Sequence, residues 1–170
     1  TGEDTLSLHD ALPISSSPAG VTCSIGANAT TYICTGLTDG TSYTYSVIAV
    51  NAKGNSASAT SSALITQGAA SAPTTISATT GDGQATITFS GAAANGSTIT
   101  GYTVKAYDNT GNEVTGVSCS VTTSNANGSC IVTGLTNGSS YTFKAITNST
   151  ANSASVTSSP SIPTAAITPA

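Results

Sequence analysis

A ten-residue stretch occurs twice in this chain. The first copy is Gly36-Leu37-Thr38-Asp39-Gly40-Thr41-Ser42-Tyr43-Thr44-Tyr45. The second, Gly134-Leu135-Thr136-Asn137-Gly138-Ser139-Ser140-Tyr141-Thr142-Phe143, starts 98 positions later. Each holds a turn signal and then a tyrosine that begins an alternation of apolar and polar residues. That order marks a corner where a chain enters a β-strand. The distance between the copies suits one small all-β domain, so the chain is expected to hold two related units.

Composition narrows what those units can do. Of 170 residues only 6% are charged, Arg, Met and Trp are absent, and there are three lysines. Three lysines cannot build a surface that tracks phosphates, so no nucleic-acid partner is expected. No apolar run approaches the length that spans a bilayer, so no membrane insertion is expected. Apolar residues reach 38%, but many are alanine, so each core is thin. Thin cores call for help from disulfides.

Residues 5–15, Thr5-Leu6-Ser7-Leu8-His9-Asp10-Ala11-Leu12-Pro13-Ile14-Ser15, resemble in register the translation of a common short-read sequencing adapter. A capped amphipathic turn is the other reading of this segment. On the adapter reading residues 1–15 are non-native and stand outside fold reasoning. The only histidine, His9, leaves with them, as do Glu3, Asp4 and Asp10. Asp39, Asp82, Asp108 and Glu113 then face Lys53, Lys105 and Lys144, a net charge of −1.

Strand signals fill the rest. In the first half they fall at 21–25, 31–35 and 43–50, with a return at 56–66 and a short flexible junction at Gln67–Ser71. In the second half Thr74–Ala78 leads through Gly81-Asp82-Gly83-Gln84 to Ala85–Ser90, with Ala85, Ile87 and Phe89 inward. Thr98–Asp108 places Tyr102, Val104 and Ala106 on one face. Strands at 113–121, 129–133 and 141–147 follow, and the last, at 153–168, is expected to bulge or break at Pro160 and Pro163. Seven short strands with regular turns and no helical period predict a β-sandwich.

In order, Ser71-Ala72-Pro73, Gly81-Asp82-Gly83-Gln84-Ala85, Ile99-Thr100-Gly101-Tyr102-Thr103-Val104 and the repeated Gly-Leu-Thr-x-Gly-x-x-Tyr resemble a bacterial fibronectin type III module. The resemblance implies an all-β fold of tandem immunoglobulin-like sandwiches, the first truncated at its N-terminus. Residues 16–70 would be the last four strands of one module, 71–168 a complete module, and 169–170 a linker. Phe89 stands where the family usually has Trp, so the core is smaller. Asn51 lies eight residues after Tyr43 but Asn148 seven after Tyr141, a difference expected to fall in the hairpin loop.

Cys23 and Cys34 are 11 apart, as are Cys119 and Cys130. Equal spacings in two repeats argue for two local disulfides, Cys23–Cys34 and Cys119–Cys130. A metal site would need four ligands close together, and neither a native His nor a Cys-x-x-Cys is present; a nucleophilic cysteine would need a base. No metal, cofactor or catalytic residue is therefore expected. In the family layout each bridge would join the fourth strand to the fifth, in opposite sheets. Tyr43 and Tyr141 fit the family's tyrosine corner, in which the hydroxyl bonds to upstream backbone.

The carboxylates sit in or beside turns and offer no pair flanking a cleft, as glycoside hydrolysis needs. Asn-x-Ser/Thr occurs at Asn28, Asn95, Asn127, Asn137 and Asn148, mostly a product of composition. An outward Tyr107 beside Lys105 is a candidate contact for sugar or protein, though the ligand is not legible. The leading expectation is a non-catalytic extracellular spacer or adhesion repeat of a secreted or surface-anchored bacterial protein. Its partners would be neighbouring domains of the same chain, with a cell-surface protein or polysaccharide as a further class. The alternatives are an accessory region of a secreted polysaccharide-degrading enzyme, or a carbohydrate- or protein-binding module.

Overall fold

The computed structural model describes residues 14–25, 31–51 and 53–170. His9, Asn28 and most of the adapter-like segment lie outside them. Among the described residues there is no helix, and so none long and apolar enough to cross a membrane. The chain divides into two compact units, Thr1–Thr66 and Gln67–Ala170.

Among its described residues the first unit holds eight short strands. They are β1 (Ile14–Ser17), β2 (Thr22–Ile25), β3 (Tyr32–Thr35), β4 (Ser42–Val47), β5 (Val50–Asn51), β6 (Gly54–Asn55), β7 (Ala59–Thr60) and β8 (Leu64–Ile65). β4, the strand after the first corner, is the centre: β1 and β7 flank it, and β8 also pairs with it. β2 pairs with β3, and β5 with β6, as separate two-stranded ladders. Ile14 and Ser15, expected to lie outside the fold, pair with Val47 and Ser46. Tyr43 is buried, whereas Tyr45 and Val47 are only half-buried.

The second unit holds β9 (Thr75–Gly81), β10 (Gln84–Ser90), β11 (Thr98–Tyr107), β12 (Glu113–Thr122), β13 (Gly128–Thr133), β14 (Thr142–Ala151) and β15 (Ala154–Thr157). One sheet has the order β13-β10-β9 and the other β12-β11-β14-β15, all pairs antiparallel. The expected alternation is realised. Ala85, Ile87 and Phe89 of β10 meet Tyr102, Val104 and Ala106 of β11 and Phe143 and Ala145 of β14 in one core. The Phe89 and Tyr102 rings lie 4.5 Å apart at a tilt of 48°, filling the middle with two aromatic groups. Burying an apolar side chain of this size contributes ~1.5–3 kcal/mol, so these few positions dominate the module's stability.

β11 bends at a register shift between Ile99 and Gly101. Gly101 is at φ 158°, and a Cβ there would collide with the Val121 carbonyl. The close approach of β12 therefore requires glycine at this position.

Residues 67–70 are not a flexible junction. The Gly68 amide donates to the Asn95 carbonyl at 3.0 Å, the Ala70 amide to Ser149 Oγ at 3.2 Å, and Ala70 is buried in the second core. The boundary thus falls after Thr66 rather than after Ala70. Nor is Pro169 linker: it is fully buried, and its carbonyl accepts from the Gly138 amide at 2.9 Å. Asn148 is mid-strand, opposite Gly101, and the hairpin instead turns at Asn152-Ser153, both at positive φ.

Beyond β15 the edge follows an unusual rule. The amides of Ser158, Ser161 and Thr164 donate to the carbonyls of Thr147, Ala145 and Phe143 at 2.8–2.9 Å. The amides of Thr147, Ala145 and Phe143 donate back to the hydroxyls of Ser158, Ser161 and Thr164 at 2.9–3.1 Å. Three residues of the edge thus oppose two of β14, and each hydroxyl takes the place of a missing backbone acceptor. Pro160 and Pro163 fall between the bonding residues, where the absent N–H removes no ladder bond. The first unit shares the device: Ala49 and Tyr45 donate to Ser56 Oγ and Ser61 Oγ, each at 3.0 Å.

Candidate functional site

The repeated corner is built alike in both units. The Thr136 amide donates to the Tyr141 hydroxyl at 3.2 Å, and the Thr38 amide to the Tyr43 hydroxyl at 3.1 Å. Tyr141 and Tyr43 are 8% and 5% exposed, so each phenol spans from core to turn. The Thr136 amide favours the phenolate and holds the Tyr141 pKa below the usual tyrosine value. Burial does the opposite to Tyr102, whose pKa is raised.

The second corner also clasps the β9–β10 turn. Asn137 Oδ1 accepts from the Gly83 amide and Asn137 Nδ2 donates to Asp82 Oδ1, both at 2.7 Å. The Leu135 amide donates to the Gly83 carbonyl at 3.0 Å. Asn137, read from sequence as part of a glycosylation signal, thus has a structural partner. Its role needs the folded hairpin and leaves no mark in the local sequence.

The cysteines form two bridges of different kinds. Cys119 of β12 and Cys130 of β13 are bonded with their Cα atoms 6.0 Å apart, and they link the two sheets of the sandwich. Cys23 and Cys34 are also bonded, but they sit directly opposite each other within the β2–β3 ladder, Cα atoms 4.0 Å apart. The expectation that each bridge spans two sheets therefore holds only in the second unit. In the first, β2 pairs with β3 itself, so the bridge closes a hairpin rather than stapling two layers.

Charge gathers on the outer face of the four-stranded sheet. Lys105 of β11 lies directly opposite Lys144 of β14. Like charges so placed repel. Lys105 Nζ bonds to Glu113 at 2.9 and 3.1 Å, which raises the lysine pKa, while Lys144 Nζ sits 4.5 Å over the Tyr107 ring. The candidate Tyr107 therefore does lie near Lys105, but Lys144 takes its face. Nearby, Asp108 Oδ1 accepts from the Thr110 hydroxyl at 2.7 Å and from the Thr110 and Asn112 amides at 2.9 Å. The Thr110 hydroxyl leads in holding the Asp108 pKa below the ordinary carboxylate value.

The other sheet presents an uncharged trough of about 500 Å³, walled by Thr75, Ser77, Thr88, Ser90, Asn127 and Ser129. Four of its hydroxyls are already paired, Thr75 with Ser90 and Ser77 with Thr88, each at 2.6 Å. Nothing in this lining activates a nucleophile or moves a proton. Among the described residues no group of three or more His, Cys, Asp or Glu could hold a metal ion.

A two-domain fibronectin type III segment of chicken tenascin is similar at 22% identity, over 92% of this chain and 82% of that one, with a TM-score of 0.44. The FN1–FN3 segment of chicken CNTN1 is similar at 18% identity, over 81% of this chain, with a TM-score of 0.44. This chain spans 45% of that segment's length. No curated protein matches. The model of the fibronectin type III domain matches residues 71–164, which is 94 of the 170 residues. The match begins just ahead of β9 and ends at the Thr164 hydroxyl that caps β14, and on that ground the chain belongs to the fibronectin type III family.

Proposed function

We propose that this chain is part of a secreted or surface-anchored bacterial protein in which fibronectin type III modules serve as spacers or interaction repeats and perform no catalysis. The observation that carries the reading is the Cys119–Cys130 bridge across a sandwich whose core is largely Ala, Val and Ile. Such a bridge persists in oxidising surroundings, which supports a location outside the cytosol. A small core braced across its two sheets suits a module whose work is to hold shape and separation. The first unit is then the later part of a second such module, with residues 5–15 as its non-native lead. Its partners are the neighbouring domains of its own chain.

Recovery of the full reading frame tests this. Further modules of the same kind beside a surface anchor are the expected result. A polysaccharide-degrading domain in the same frame would overturn it in favour of an accessory region.

The Tyr107–Lys144–Lys105 cluster favours a second reading, a module that contacts a surface polysaccharide or protein. A ring with a cation at its face beside a second lysine is suited to a sugar bearing a carboxylate. On a glycan array the protein should then bind, and Tyr107→Ala should abolish the signal; a silent array counts against this reading.

A further inference from the structure

The Asn-x-Ser/Thr sequences are one signal in the chain but not in the fold. Asn28 lies outside the described residues, and the other four differ in what their side chains touch. Asn95 Nδ2 donates to the Ala69 carbonyl at 3.0 Å, and the Ser97 hydroxyl, two residues on, donates to the Ala94 carbonyl. Asn137 is held by Gly83 and Asp82, and the Ser139 hydroxyl bonds to Tyr141. Asn148 is half-buried within β14, and its Nδ2 donates to Thr103 Oγ1 at 3.2 Å. All three amides are committed to the fold.

Asn127 is not. It is exposed, and it lies between the bends at 124–126 and the first residue of β13. Among the described residues no hydrogen bond holds its amide or the exposed Ser129 hydroxyl two residues on. Gly128 between them is fixed by the core, since a Cβ there would lie 3.0 Å from the Phe89 ring. Asn127 and Ser129 also wall the trough of about 500 Å³, so room for a sugar adjoins the free amide. Two of the paired hydroxyls in that trough still have a proton to donate, because each pair spends only one.

We propose that Asn127 is the residue of the second unit that carries an N-linked glycan. The proposal rests on reading the chain as an exported protein. The sugar comes from an oligosaccharide linked to a lipid through pyrophosphate. A bond forms between Asn127 Nδ2 and the anomeric carbon as the bond from that carbon to the pyrophosphate oxygen breaks. The lipid pyrophosphate leaves with the bonding electrons and takes one of the two amide protons. The reaction needs an accessible asparagine amide and a hydroxyl two residues on. Only at Asn127 are both free without loss of a bond that the fold uses. At Asn137 a glycan would crowd the clasp on Asp82 and Gly83, and at Asn148 it would displace the bond to Thr103.

Transfer in vitro tests the site. The folded, oxidised chain is incubated with an oligosaccharyltransferase that reads Asn-x-Ser/Thr and with its lipid pyrophosphate donor, and glycopeptides are mapped by mass spectrometry. Occupancy at Asn127 should exceed that at Asn95, Asn137 and Asn148 at least tenfold. Ser129→Ala should abolish it and Ser129→Thr should retain it, with the thermal melt of both variants unchanged. The same chain, reduced and unfolded, should lose the preference, because the fold makes the selection.

No transfer to Asn127 of the folded chain would overturn the proposal, as would equal occupancy at any of the other three. A preference for Asn127 that persists in the unfolded chain would also overturn it, since the local sequence alone would then decide. The assay does not depend on export. A recovered reading frame without an export signal would remove the exported-protein reading and leave the acceptor site to stand or fall by the transfer itself.

Discussion

Tyr45 and Phe143 follow the same corner, two residues after the same tyrosine, and take the same kind of edge bond from a serine or threonine. One is half-buried and the other fully buried. The corner alone therefore positions a strand but does not bury it. Burial comes from residues far away in sequence, the β9–β10 hairpin that closes the second sandwich. The edge bonds to this strand are made in both units. The hydrophobic term, which grows with apolar area removed from water, is complete in only one.

The sharpest way to break the comparison is to truncate the two equivalent aromatics. Phe143→Ala should destabilise the second unit by about 3–5 kcal/mol, as large-to-small changes in a closed core do. Tyr45→Ala should cost well under half of that. Equal losses in denaturant unfolding followed unit by unit would contradict the account.

Next come the bridges. Replacing Cys119 and Cys130 together by alanine should lower the second unit's stability by ~2–3 kcal/mol, the scale for a closed loop of this length. The matching change at Cys23 and Cys34 should loosen the β2–β3 ladder without moving the main transition of the second unit.

The edge hydroxyls rank third. Ser161→Ala leaves the buried Ala145 amide without the hydroxyl it donates to, at a cost of about 1–3 kcal/mol. Ser61→Ala removes a bond of the same kind at an exposed site, where water can replace it, and should cost less. Thermal melts of the two variants compare them directly.

The smallest expected effect is on pH dependence. The folded pKa of Asp108 lies below its ordinary value, so the turn's contribution is whole above that ordinary value. It is lost as pH falls through the folded value. Because the carboxylate is exposed, the loss is a local loosening, seen as faster exchange at the Thr110 and Asn112 amides in acid. Asp108→Asn should flatten that acid response.

The inward residues of β10, β11 and β14 were legible because period-2 alternation reports directly on which face is buried. The corner tyrosines were legible because their turn has a fixed chemistry. The difference between the two bridges was not, since identical spacings say nothing about which strands stand opposite each other. Nor was the ordering of residues 67–70, a Gly- and Ala-rich stretch that reads as flexible until Asn95 and Ser149 supply its partners. The edge after Thr157 carried a signal that the prolines obscured. Ser158, Ser161 and Thr164 recur every third residue, a period that belongs to neither helix nor ordinary strand.

Native-state amide exchange on the intact oxidised chain tests the central claim most directly, because protection reports the free energy of opening at each strand. The amides of Phe143, Ala145 and Thr147 should exchange at least a hundredfold more slowly than those of Tyr45, Val47 and Ala49, about 2.7 kcal/mol by the tenfold-per-1.36 relation. Equal protection at the two sets of positions would show that the first unit is closed as fully as the second, and would contradict the account.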